Sequence, residues 1–294
     1  MPTDLSEVKV GVFLVDIAEV DDVKQQVYVD LYGIAEWHDK RLANCHSIDL
    51  ATLWHPQIDL VNQRDVNKIS QLTLLTEGTK VRARQRFNGW IAVPLNLHEF
   101  PNDQQNIYIE LVLLEQAENL KLIGDSNLSG KRGVFTLAGW QIGESNITTN
   151  LATGLDNQKF SVAKFSLVAK RELNYYTWKV ILPLMVIVIM SWSVFWILPE
   201  HVAPKIGVST TAVLTLFAFQ LSLSDVLPRI AYLTRMDIFV LGAFVMVLLG
   251  LIESLVSVRL AGSGKMARAN MLDKRCRLIF PLLFVPIIVS AFWL

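Results

Sequence analysis

The 294 residues carry 27 basic and 27 acidic side chains and are 52% hydrophobic, with a mean hydropathy of +0.38. A chain of this length that is so apolar is not an ordinary soluble protein, and the cancelling charges leave no global field to recruit nucleic acid or an acidic partner. Cys45 and Cys276 lie in stretches of opposite character with no CxxC or Cys/His neighbourhood, so neither a disulfide nor a zinc site is read from them, and no cofactor is expected.

Residues 1–174 are polar, with short alternating runs at 8–17, 25–37, 71–75, 80–87, 105–114 and 160–170. Period-two patterning and β-branched enrichment predict strands there, and Glu77-Gly78 marks a hairpin between the third and fourth. The expected fold is an all-β, immunoglobulin-like sandwich. After Asn174 the composition changes abruptly. Uncharged apolar stretches predict four membrane spans at about 176–198, 204–226, 234–258 and 277–294, a four-helix bundle over 175–294. Between the last two spans, 259–276 reads as a short linker with Arg259, Lys265, Arg268, Lys274, Arg275 and Arg277 against the single acid Asp273. Lys/Arg-rich loops face the cytoplasm, so the sandwich and the C-terminus are expected outside, across the cell (inner) membrane. Tyr175, Tyr176, Trp178 and Trp293 fit an aromatic belt on that outer side. Glu253 lies close enough to the cytoplasmic end of the third span to snorkel to the interface.

The second span is unusual for carrying Ser209, Thr210, Thr211 and Thr215. At 3.6 residues per turn, Gly207, Thr211, Leu214, Ala218, Leu221, Ser222 and Asp225 share one sector about 100° wide. Small and hydroxyl residues also pack between membrane helices, which is the plainer explanation. The alternative is a pore wall, with Thr211 and Ser222 offering partners to permeant ions and rings of Leu214 and Leu221 forming a hydrophobic gate. One helix cannot enclose water, so a pore demands a ring of identical subunits.

Several motifs follow one another along the chain: Trp37-x-Asp39-x-Arg41-Leu42, Trp54-His55-Pro56, Phe100-Pro101-Asn102-Asp103-Gln104-Gln105, Arg171 before the first span, Pro183 and SWSVFW (191–196) within it, and Leu227-Pro228-Arg229 after the second. In order and spacing the chain resembles the pentameric ligand-gated ion channels, the Cys-loop receptor superfamily, and within it the bacterial branch that lacks the disulfide. No cysteine occurs between Gly89 and Val112, Gln57 stands where the family has an acid, and Asn102 stands where it has an aromatic.

The resemblance implies a homopentamer with agonist held between neighbouring sandwiches. It also implies a coupling layer of Phe100, Pro101, Asp103, Arg171, Pro228 and Arg229, with Asp103 facing Arg171. By alignment the agonist positions are Tyr28, Asp59, Lys80, Arg82, Leu114 and Phe160, a set better suited to an acid or zwitterion than to a quaternary amine. Protons are the alternative stimulus, with His98 and His55 as candidate sensors. Ala203-Pro204-Lys205 resembles the family's anion-channel pattern, whereas Asp225 would form an acidic ring favouring cations, and the cation reading is preferred. A membrane-anchored sensor that never conducts is a further alternative. GxSxG, HExxH and P-loop signatures are absent from the sequence, so no enzyme is expected.

Overall fold

Alternation of apolar and polar side chains sets the faces of the first half. A computed structural model describes residues 7–44, 54–113, 120–153, 159–223 and 230–292. Its strands are β1 (Glu7–Asp21), β2 (Gln26–His38), β3 (Ile58–Leu60), β4 (Gln63–Lys68), β5 (Thr73–Glu77), β6 (Lys80–Ala92), β7 (Gln104–Leu113), β8 (Lys121–Gly124), β9 (Gly130–Lys131), β10 (Trp140–Thr153) and β11 (Lys159–Arg171). One sheet runs β4-β6-β2-β1-β8, with β5 also on β6 and β9 also on β1; the second runs β10-β11-β7-β3. Val10, Val12 and Leu14 of β1, Val27, Val29 and Leu31 of β2 and Ala83 and Phe87 of β6 are buried from the first sheet, and Ile107, Ile109, Phe165 and Leu167 from the second. A Cβ at Gly33 of β2 would stand 3.3 Å from Ile58 of β3, so the two sheets meet face to face.

Each of the six alternating runs overlaps a strand, and the sandwich is the expected one. Two details differ. Strands β8 and β9 pair parallel to β1 in a sheet otherwise joined antiparallel. The β5–β6 turn is Gly78–Thr79, one residue on from the expected pair, because Glu77 pairs with Lys80 and Gly78 supplies the positive φ of 61° that a two-residue turn needs.

The second unit comprises Asn96–Asp103 together with Arg171–Leu294. Its helices are α1 (Asn174–Trp196), α2 (Val202–Leu223), α3 (Arg235–Gly262) and α4 (Met266–Phe292). Helix α1 contains a π-helical turn at Thr177–Ile181 and closes in a 3₁₀ turn at Val194–Trp196. It stops there because Pro199 forbids continuation and forces the chain before it into extended backbone. Pro204 falls in the first turn of α2, where its missing N–H has no helical partner to lose. Helix α3 starts on a capping box: the Thr234 hydroxyl accepts from the Asp237 N–H (3.1 Å), and the Asp237 carboxylate accepts from the Thr234 N–H (2.8 Å).

Among the described residues α1, α2 and α3 are long and apolar enough to cross a membrane. Helix α4 holds its charges before Leu278 and is uncharged beyond it. The expected linker 259–276 is mostly helical. Only Ser263, Gly264 and Lys265 turn the chain, with Gly264 at φ 77°. MARANMLDKRCR is polar but has neither Gly nor Pro, so helical backbone continues through residues whose charge suggested a loop.

Candidate functional site

The loop Asn96–Asp103 folds onto helix ends of its own unit. The Asp103 carboxylate receives a forked pair from Arg171: Nε to Oδ1 at 2.8 Å and Nη2 to Oδ2 at 3.3 Å. Asp103 is 1% and Arg171 6% exposed, so both charges are withdrawn from water. The Arg171 guanidinium lies 4.9 Å from the Phe100 ring centroid, and Phe100 meets Tyr176 edge to face at 4.9 Å. The Phe100–Pro101 peptide is cis. From the other side, the Arg235 and Met236 N–H groups donate to the carbonyls of His98 and Phe100 (3.1 Å each), and Arg235 Nη2 donates to Glu99 Oε1 (2.9 Å). His98 is exposed and stacks on Tyr232 at 4.1 Å, while the Tyr232 hydroxyl accepts from the Leu97 N–H (3.0 Å). Phe100, Pro101, Asp103 and Arg171 thus form one cluster with the start of α3. Pro228 and Arg229 lie outside the described residues.

Helix α2 has two faces. Gly207, Thr211, Leu214, Ala218, Leu221 and Ser222 are all exposed in the subunit, Leu214 by 64% and Leu221 by 77%, while Ser209, Ala212, Leu216 and Leu223 are buried against the subunit's own helices. Asp225 lies outside the described residues. The hydroxyls divide likewise: Ser209 donates to the Lys205 carbonyl (2.9 Å) and pairs with Ser254 (2.8 Å) inside the bundle, whereas Thr210 and Thr215 return to carbonyls one turn back.

Lys205, the cation of the Ala203-Pro204-Lys205 sequence, does not reach solvent: its side chain is 0% exposed in the subunit. Its ammonium donates to Asp273 Oδ1 at 2.7 Å and to Ser257 Oγ at 3.3 Å, and Ser257 donates to the same carboxylate oxygen at 2.8 Å. Glu253 does not snorkel either. It is 7% exposed, turned inward with Oε2 3.8 Å from Lys205 Nζ. Sequence separation hid this cluster, because Lys205 and Asp273 are 68 residues apart.

In the sandwich, Trp37 and Trp54 of the two tryptophan motifs meet edge to face at 5.7 Å. Asp39 is fully buried and accepts a fork from Arg41, Nε to Oδ1 at 2.9 Å and Nη2 to Oδ2 at 2.6 Å. Those hydrogen bonds, against the opposing effect of burial, hold its carboxyl below the usual range. His55 is half-buried, and its Nδ1 has no hydrogen-bond partner.

Within one subunit, the described members of the six agonist positions lie apart. Tyr28, edge-on to Trp90 at 5.3 Å, sits ten residues along β2 from His38, the partner of Lys80; at about 3.3 Å per residue that is roughly 33 Å. Asp59 and Phe160 belong to the second sheet, where Asp59 accepts from the Leu60 N–H at 3.0 Å, and Leu114 lies outside the described residues. Lys80 and Arg82 are both occupied by Glu36, at 3.0 and 2.7 Å. Burial pushes the Glu36 carboxyl up, and the hydrogen bonds from Arg82 and Lys80 together outweigh it, leaving it below its ordinary value.

The register isolates a different residue. On the outer face of β2 and β6, Arg82 is neutralised by Glu36 and Arg86 by Asp30 (2.6 Å), but Arg84, between them, pairs across the strand with Ile34, which offers no acceptor. Its Nε is buried without a hydrogen-bond partner, and Arg84 lines a pocket of about 520 Å³ with Phe13, Tyr32, Ile34, Ser70 and Thr73. The signal in the sequence was the alternating KVRARQR run facing a β2 stretch whose matching positions hold a single acid, Glu36, with Asp30 lying two residues beyond the partner of Arg86.

Comparison with known proteins matches two family models: the neurotransmitter-gated ion-channel ligand binding domain over residues 1–172 and the neurotransmitter-gated ion-channel transmembrane region over 180–267. Curated relatives include a proton-gated ion channel of Gloeobacter violaceus, 25% identical over 95% of this chain and 80% of the relative. They also include a gamma-aminobutyric acid receptor subunit beta of Caenorhabditis elegans, 29% identical over 81% of this chain and 46% of the relative, and a beta-4 subunit of Gallus gallus, 26% identical over 84% and 54%. The chain spans about half the length of these animal relatives. With a ligand-binding-domain model over a β-sandwich and a transmembrane model over the helices, the chain belongs to the neurotransmitter-gated ion channels of the Cys-loop receptor superfamily.

Proposed function

We propose that this chain is the subunit of a homopentameric, cation-selective channel of the inner membrane, opened by a small molecule at the outer domain. The observation that carries the reading is the two-faced α2: a helix apolar enough for a membrane exposes a stripe of Gly207, Thr211, Leu214, Ala218, Leu221 and Ser222 while its opposite face is occupied. Five copies around an axis would turn that stripe to water, with Leu214 and Leu221 closing the path by dewetting. The basic residues near the α3–α4 turn support a cytoplasmic position for that end. Burial and pairing of Lys205 argue against its serving as the charge of the anion-type pattern, and Asp225, which follows the helix in the sequence, would supply an acid for the outer mouth. Anion selectivity is the reading favoured instead by the likeness of Ala203-Pro204-Lys205 to the anion pattern.

The stimulus we assign is a carboxylate or zwitterion received by Arg84. A buried guanidinium nitrogen lacking an acceptor, in a pocket with Ser70, Thr73 and two aromatic rings, calls for an anionic group, and the resemblance to gamma-aminobutyric acid receptor subunits is in keeping with it. Protons are the second reading, favoured by the proton-gated bacterial relative and by His98 against Tyr232 at the coupling loop. The test is current through the purified full chain in liposomes while small carboxylates, amino acids and pH are varied separately. A pentameric mass in detergent with carboxylate-evoked current is expected. Monomers or dimers would overturn the pore, and current evoked by pH alone would overturn the carboxylate in favour of the proton.

A further inference from the structure

A second pocket, of about 310 Å³, opens within the helical unit and is lined by Phe195 of α1, Ile252 and Glu253 of α3, and Cys276, Phe280 and Leu283 of α4. Its wall is otherwise apolar, yet Glu253 is 93% withdrawn from solvent and neither of its carboxylate oxygens has a hydrogen-bond partner. Burying a carboxylate without donors is costly, so an unfilled acceptor in a greasy pocket marks a place for a ligand that brings donors of its own.

The charges around it say which donors. Lys205 of α2 is the ammonium facing Glu253, and it lies nearer Asp273 of α4, at 2.7 Å against 3.8 Å. Ser257 of α3 donates to Asp273 rather than to Glu253, and Ser254 donates to the Gly250 carbonyl. Arg277 of α4 is turned to α1, with Nε on the Phe195 carbonyl at 3.0 Å and its guanidinium 5.3 Å from the Trp196 ring. Among the described residues one cation therefore serves two carboxylates, and the one left short of donors borders the pocket.

We propose that this pocket binds a membrane-soluble amphiphile with a primary ammonium head and a single alkyl tail, the head donating to Glu253 and the tail lying against Ile252, Phe280 and Leu283. The ammonium supplies both the missing donors and the missing positive charge. An alcohol would supply only a donor, and a sulfate would be repelled.

Cys276 on the pocket wall gives a readout independent of conduction. In the full-length channel carrying Cys45→Ser, reconstituted in liposomes, alkylation of Cys276 by N-ethylmaleimide is followed by mass spectrometry with octylammonium, octanol or octyl sulfate at matched membrane loading. Octylammonium is expected to slow alkylation about tenfold, octanol much less and octyl sulfate not at all. Glu253→Gln should abolish the preference for the ammonium, and Glu253→Asp should keep it. If the glutamine variant fails to assemble, Leu283→Trp, which fills the tail end, should abolish protection instead. Equal protection by octanol and octylammonium, or ammonium protection that survives Glu253→Gln or Leu283→Trp, would overturn the proposal. So would a Cys276 that resists the reagent with no amphiphile present.

Discussion

At the scale of single residues, the Asp103–Arg171 fork invites the sharpest test. Both partners are buried, so removing either takes the counter-charge from a site that water does not reach, a loss of about 3–5 kcal/mol. Asp103→Ala is expected to silence agonist-evoked current while pentamers still reach the membrane; Asp103→Ala with Arg171→Ala should recover part of the lost thermal stability but no current. Normal current in Asp103→Ala would reduce the pair to a structural tie. For Arg84, replacement by Gln should raise the concentration of carboxylate needed for half-maximal current at least tenfold, because a charged hydrogen bond is worth about 1.5–3 kcal/mol. The same change at Arg82 or Lys80, already engaged by Glu36, should do less. Asp39 bears on pH. Its folded carboxyl lies below its ordinary value through Arg41, so its contribution to stability is complete above the unfolded value of about 3.9 and is lost as pH falls through the folded value. Thermal melts from pH 6 to pH 3 should therefore show a smaller acid loss for Asp39→Asn than for the parent, from a lower starting point.

Elements differ in how openly the sequence declared them. Strands such as β6, with buried and half-buried residues in strict alternation, were legible because one face meets the opposing sheet. Gln63–Lys68 was not: QRDVNK is polar and largely exposed, and it becomes β4 because β6 offers it a ladder with a bulge between Gln63 and Asp65. Gly89 of β6 serves that bulge, having φ 142° and no room for a Cβ beside the Asp65 carbonyl. The α2 stripe could be read from periodicity alone, since exposure follows the same 3.6-residue rule as the sequence. Lys205, Ser257 and Asp273 could not, because no local pattern tells which helix a buried charge will face. The pore proposal is tested on α2 itself: single cysteines at 207, 211, 214 and 218 should react with a water-soluble thiol reagent in the open channel, and those at 209, 212 and 216 should not. Reaction of both sets alike would remove the case for a pore-facing stripe. Leu214→Ala, by narrowing the hydrophobic ring less, should give a standing leak.

For the whole molecule the open issue is the sign of the permeant ion. Lys205 is the cation closest in sequence to the start of α2, and it is folded into its own subunit with Asp273 and Ser257. Five copies would thus bring five neutralised lysines to the outer side of the helix ring and none to its axis. Exposed Glu200 precedes the helix, and Asp225 follows it in the sequence, so each end of the proposed path has an acid next to it. A cation-selective pore should bring the reversal potential, in a tenfold NaCl gradient, close to the sodium equilibrium potential. Glu200→Gln should shift it modestly and Asp225→Asn more, because the sequence spacing of Asp225 from Leu221 is that of the stripe. If Lys205→Met instead moved the potential from chloride toward sodium, the buried lysine would be the selectivity charge after all and the subunits would have to open at the start of α2 far more than the packing of α2 on α1 and α3 allows.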